Sequence, residues 1–151
     1  MRGILNLWKM ALRGIFMENM RFTGRIIVKG EVSGKALVAT EPVSFLGMVN
    51  YKNGTFDYPD HELEGQTIKD RILVYPFGKG SSGDTLRMWM LEAFNKKPAA
   101  ILFNKAEPIH VQGAILLNIP TLYGFGVDIC KIIKTGDNIF IRNNIVEVNS
   151  P

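Results

Sequence analysis

A run of apolar residues, Arg71-Ile72-Leu73-Val74-Tyr75, leads almost at once into Gly78-Lys79-Gly80-Ser81-Ser82-Gly83, and that loop opens a helical pattern over 85–96. An apolar run without alternation belongs to a strand buried on both faces, as in a parallel sheet covered by other layers. A second such run, Ala99-Ala100-Ile101-Leu102-Phe103, follows the helical pattern. Strand, glycine loop, helix and strand in this order require a layered α/β unit. Leu86, Met90, Leu91 and Phe94 are expected to share the buried face of that helix.

The chain around this unit reads coarsely. Arg25-Ile26-Ile27-Val28 and Ala36-Leu37-Val38-Ala39 are β-branched runs between glycines and predict hairpin strands. Residues 42–49 predict an extended piece. Asn53-Gly54 predicts a turn, and residues 58–66 a polar loop. Pro108 suits the first turn of a short helix whose apolar face is Ala114 to Leu117. Residues 120–123 predict a strand and 128–134 a helix or turn. Ile139-Phe140-Ile141 and Ile145-Val146-Glu147-Val148 predict closing strands around Asn143-Asn144. A strand-rich first half and an alternating second half predict one mixed α/β domain.

With 151 residues the chain fits one domain, and 46% hydrophobic against 21% charged residues is ordinary for a folded one. The net charge of +4 comes without a basic stripe or interleaved aromatics, so a nucleic-acid partner is not expected. Cys130 is the single cysteine, which excludes an internal disulfide and fits a reducing cytoplasm. Its apolar surroundings predict a buried thiol. Residues 1–20 carry Ile4, Trp8, Ala11, Leu12 and Ile15 at helical spacing, with Arg2, Asn6, Lys9 and Arg13 opposite. The charges exclude a membrane-spanning helix, and a signal-peptide core is missing. Residues 1–20 are read as an amphipathic extension that is a docking helix, a membrane-surface helix or sequence upstream of the native start, with a docking or dispensable extension favoured, and 21–151 as the domain.

The glycine loop admits three readings. Its N–H groups and the helix start behind it suit a carboxylate or phosphate, with Lys79 adding charge. Its spacing also matches G-x-G-x-x-G, but the next run ends at Asn104-Lys105, where a dinucleotide site needs an acid, and Glu107 comes late. A phosphate-binding P-loop is not met, because Lys79 falls between the glycines. The third reading is a tight turn whose serines only cap the helix.

Several blocks together resemble the small subunit, or swivelling domain, of aconitase X-type dehydratases. They are residues 24–30, Glu41-Pro42-Val43-Ser44-Phe45-Leu46-Gly47, Ile72 through Ser82, Pro98-Ala99-Ala100-Ile101, and Ala106-Glu107-Pro108-Ile109 with Gly113-Ala114-Ile115. The resemblance spans roughly residues 22–148 and implies a swivelling β/β/α fold. It also implies a hydro-lyase in which a larger partner subunit holds a [4Fe-4S] cluster as Lewis acid, in a heterodimer or higher assembly. This chain would carry no cofactor and no metal of its own. The first serine after Gly-Lys-Gly, here Ser81, is implied as the base that removes a proton from carbon. Lys79, Gly80 and Ser82 are implied as substrate-binding.

Two hydroxy acids go with the resemblance, 5-phosphomevalonate of the mevalonate route to isoprenoids and cis-3-hydroxy-L-proline. Gly-Lys-Gly-Ser-Ser and Glu-Pro-Ile are more similar to the phosphomevalonate form. A non-catalytic interaction module on the same fold is the different-class alternative. It is motivated by departures from the family's usual residues at Met48, Asn50 and Gly83-Asp84-Thr85, and His61-Glu62 also stands where His-Pro is usual. His61 is expected to be solvated, and His110 to be a helix-start histidine or to reach a substrate.

Overall fold

The structure is a computed structural model and describes residues 19–151. The amphipathic pattern read over residues 1–20 therefore lies almost wholly outside the described residues. Among the described residues ten strands and four helices follow in chain order: β1 (Met20–Thr23), β2 (Arg25–Val28), β3 (Glu31–Val38), α1 (Phe45–Met48), β4 (Val49–Asn50), β5 (Thr55–Phe56), β6 (Ile72–Tyr75), α2 (Gly83–Ala93), β7 (Ala100–Phe103), α3 (Pro108–Leu116), β8 (Thr121–Tyr123), α4 (Ile129–Ile132), β9 (Asn138–Arg142) and β10 (Ile145–Asn149).

One eight-stranded sheet runs in the order β1-β10-β9-β3-β6-β7-β8-β2. Its architecture turns on β3. Residues 31–35 pair antiparallel with β9, and residues 36–38 pair parallel with β6. One long strand thereby joins an antiparallel meander to a parallel core of β3, β6, β7 and β8.

Side chains alternate across the parallel strands, as strand geometry dictates. Ala36, Val38, Ile72, Val74, Ala100 and Leu102 face one layer with Phe22, Ile139, Ile141, Val146 and Val148 from the meander. Leu37, Leu73, Tyr75, Ile101 and Phe103 face the other with Phe45, Met88 and Leu91 from the helices. The result is the β/β/α layering expected of a swivelling domain. Truncating Phe103 to alanine would cost about 3–5 kcal/mol by transfer and cavity terms.

Several local expectations change. β2 and β3 do not form a hairpin. β2 pairs with β8 at the far edge, and β3 enters the middle of the sheet. Local propensity marked both strands correctly but carries no information about distant partners. Residues 42–49 are not extended throughout, because Ser44 caps the short helix α1 through a hydrogen bond from Gly47 N to its hydroxyl. Met20 belongs to the domain, paired with Val148 in β1 and buried. The buried face of α2 is Asp84, Met88 and Leu91, whereas Leu86 and Phe94 are exposed. A carboxylate inside the domain displaced the face that the apolar residues suggested. In α3 the buried residues are His110, Gly113 and Ala114. Ile115 and Leu116 are exposed.

Candidate active site

The carboxyl ends of parallel strands are where open α/β sheets place their ligands, since the loops there diverge and the helix starts point inward. Here the loops after β3, β6 and β7 meet at that edge. The loop after β6 carries the glycines. An isolated parallel bridge joins Gly78 to Val43, and Lys79 N donates to Val43 O at 3.0 Å. Two glycines are needed for geometric reasons. A Cβ on Gly78 would stand 2.6 Å from His110 Nδ1, so only a bare backbone can cross the imidazole. Gly80 has φ of +81°, a region that side chains disfavour.

Ser81 and Ser82 follow. Ser82 occupies the N-cap position of α2 but makes no side-chain capping hydrogen bond. Among the described residues no hydrogen bond is made by the Ser81 hydroxyl. Only the Ser81 carbonyl is engaged, accepting from Asp84 N at 2.9 Å. Serines that merely cap a helix would use their hydroxyls on its first N–H groups, so the capping reading fails on geometry. Lys79 lines a neighbouring cleft of about 430 Å3 together with Thr40, Glu41, Pro42 and His61. Lys79 forms no ion pair among the described residues. Glu62 closes part of this cleft by accepting from the Thr40 N–H and from its hydroxyl.

Beneath the loop lies a buried chain of three polar side chains that pattern reading did not reveal. Asp84, His110 and Tyr75 are each 0% exposed. Asp84 Oδ2 lies 2.6 Å from His110 Nε2, and Tyr75 Oη lies 2.8 Å from His110 Nδ1. Burial by itself would raise the Asp84 carboxyl. Hydrogen bonds from His110 and from the Leu46 and Phe45 backbone, with the attraction of His110, outweigh it and hold the group below its ordinary value. An ionised carboxylate only accepts, so Nε2 carries the proton, and in the neutral ring Nδ1 accepts from the phenol. Burial, then the charges of Asp84 and Glu107, push the Tyr75 phenol well above its usual range and keep it protonated.

Glu107 is the acid that came late for a dinucleotide site. It caps α3, accepting from Ile109 N and His110 N at 3.0 Å each. Asn104, at the end of β7, bonds Asp128 and Ile129 N. Neither supplies the free carboxylate that ribose recognition needs. His61 is not simply solvated. It stacks on Phe56 with ring centroids 4.9 Å apart, and Nδ1 accepts from Leu63 N at 3.0 Å. The ring shields Phe56, which favours closing the loop over it. Met48 is buried in the helical layer, and Asn50 closes a turn by accepting from Lys52 N at 2.9 Å.

The cluster implied by the resemblance does not fit this chain. Among the described residues no group of three His, Cys, Asp or Glu side chains is placed to hold a metal. Cys130 is buried, and burial first, then Asp128 and Glu62, push its thiol up to about 12, far from thiolate chemistry. Among the described residues no helix is long and apolar enough to cross a membrane.

Comparison with known proteins identifies the family and the fold. The sequence profile of the aconitase X swivel domain matches residues 21–148, and the chain belongs to that family. It is similar to proteins named phosphomevalonate dehydratase small subunit. The one from Methanosarcina mazei is 35% identical over 128 residues, covering 85% of this chain and 89% of that one. The one from Thermococcus kodakarensis is 38% identical over 129 residues, covering 85% and 95%. The crystal structure of Thermococcus kodakaraensis aconitase X in its holo form superposes with a TM-score of 0.79 at 37% identity, covering 85% of this chain and 98% of that one. A solution structure of a UPF0107 protein gives 0.78 at 33% identity, with the same coverage.

Proposed function

We propose that this chain is the small subunit of a hydro-lyase that removes water from 5-phosphomevalonate, giving anhydromevalonate phosphate, and that Ser81 is its base. The observation that carries the reading is a serine hydroxyl left without a partner at the carboxyl edge of a parallel sheet, in a loop whose N–H groups and helix start favour negative charge. A serine is a weak base unless its alkoxide is stabilised. The N–H groups of Gly80, Ser81 and Ser82 are bonded to no described acceptor and supply that stabilisation, with Lys79 adjacent. Lys79, Gly80 and Ser82 then orient the anionic end of the substrate while Ser81 takes the proton from carbon. The names of the similar proteins support the substrate and the pairing with a large subunit.

The Lewis acid assisting the departing hydroxyl belongs to that partner, as a [4Fe-4S] cluster, and the chain alone is inactive. In this reading the swivelling domain begins with β1 at Met20, the residues before it are an extension, and the complex works in the cytoplasm. The test offers 5-phosphomevalonate and cis-3-hydroxy-L-proline separately to the assembled, cluster-loaded complex under anaerobic conditions. Loss of 18 mass units (about one water) from the first acid alone is the expected result. Turnover of the second alone reassigns the substrate, and turnover of neither by a demonstrably assembled complex leaves a non-catalytic interaction module.

A further inference from the structure

The buried Asp84–His110 pair joins three segments that build the cleft. Asp84 stands in the first turn of α2, three residues after Ser81, and its own N–H binds the Ser81 carbonyl at 2.9 Å. Its Oδ1 reaches the segment after β3, accepting from Leu46 N at 2.8 Å and from the Ser44 hydroxyl at 3.1 Å. Its Oδ2 reaches the segment after β7 through His110, whose backbone N–H is capped by Glu107. The glycine loop in turn rests on this assembly. Gly78 crosses the His110 ring with no room for a Cβ, and a Cβ on Gly80 would stand 3.4 Å from Glu107 Oε1. Moving the imidazole therefore moves the floor under the loop that presents Ser81.

We propose that Asp84 and His110 are positioning residues that hold the Ser81 loop in its reactive geometry. The inference rests on the reading of Ser81 as the base. A loop of glycines and serines has little intrinsic rigidity, and a misplacement of about 1 Å at a reacting group costs on the order of 100-fold in rate. A fixed, solvent-excluded hydrogen-bonded pair under the loop supplies the rigidity that its own sequence lacks.

The test uses the assembled complex with 5-phosphomevalonate. Asp84→Asn keeps the size and the acceptor toward Leu46 but loses the acceptor toward His110. His110→Gln approaches the pair from the other side. Both are expected to lower kcat about tenfold or more with KM within about twofold. Both are also expected to speed hydrogen exchange at the amides of residues 78–83. Ile139→Ala, in the opposite layer and 2% exposed, is the control. It lowers Tm while kcat stays within about twofold. Unchanged kcat and unchanged exchange in both variants overturns the proposal, as does an equal kcat loss in the Ile139 control. Ser81→Ala run alongside separates the two claims. If it retains turnover the base assignment fails, while the exchange measurement still decides whether the pair holds the loop.

Discussion

The glycine loop and the three side chains beneath it adjoin in space but are built in opposite ways. The Ser81 and Ser82 hydroxyls have no side-chain hydrogen bonds among the described residues, and Gly80 holds a positive φ. Asp84, His110 and Tyr75 are wholly buried and hydrogen-bonded to one another at 2.6 and 2.8 Å. In the proposed reading the groups that bind and react with a substrate keep unused hydrogen-bonding capacity, and the groups that fix their position have theirs filled. The contrast also separates two kinds of damage. Changes in the loop should alter turnover at little cost in stability, and changes in the buried chain should alter both.

The sharpest break is Ser81→Ala in the assembled complex. Removing a general base typically costs 10²–10⁴-fold, so kcat should fall by about that factor. Thermal stability should be unchanged, because the lost hydroxyl has no described partner. Asp84→Ala should give the reverse emphasis. Breaking a buried pair leaves His110, Ser44 and Leu46 without their acceptor and should destabilise the domain by about 3–5 kcal/mol, read by denaturant titration. Gly78→Ala lies between the two, pressing a methyl into the His110 ring at an overpacking cost of about 1–3 kcal/mol.

Acid should expose the same pair. Asp84 has its folded pKa depressed below the ordinary 3.8. Its contribution to stability is therefore complete above that value and is lost as pH falls through and below it. Unfolding midpoints measured between pH 7 and pH 2 should show this loss in the natural chain and less of it in Asp84→Asn. The smallest effect belongs to Ser82→Ala. A working N-cap is worth about 1 kcal/mol, but Ser82 makes no capping bond. Its loss should change stability by less than about 0.5 kcal/mol, leaving any effect to substrate KM.

The core strands β6 and β7 were legible because residues buried on both faces leave an unbroken apolar run, and the glycine loop because its spacing between strand and helix is local. The pairing of β2 with β8 was not legible, since strand partners 90-odd positions apart leave no local mark. The buried face of α2 was misread for a related reason. Asp84 looks like a surface acid at a helix start, and only the approach of His110 from another helix makes it a core residue. Ser81 was singled out through the chain's resemblance to a family, and its role as base is the proposal to be tested. The Asp84–His110 pair proposed to hold it was hidden because hydrogen bonds between distant segments have no periodicity.

The most direct measurement follows water loss from 5-phosphomevalonate by mass spectrometry with this chain alone, with the cluster-loaded large subunit alone, and with both. Product that appears only when both chains are present is the predicted result. An equal rate from the large subunit alone, or no product from a complex shown to be assembled, would contradict it.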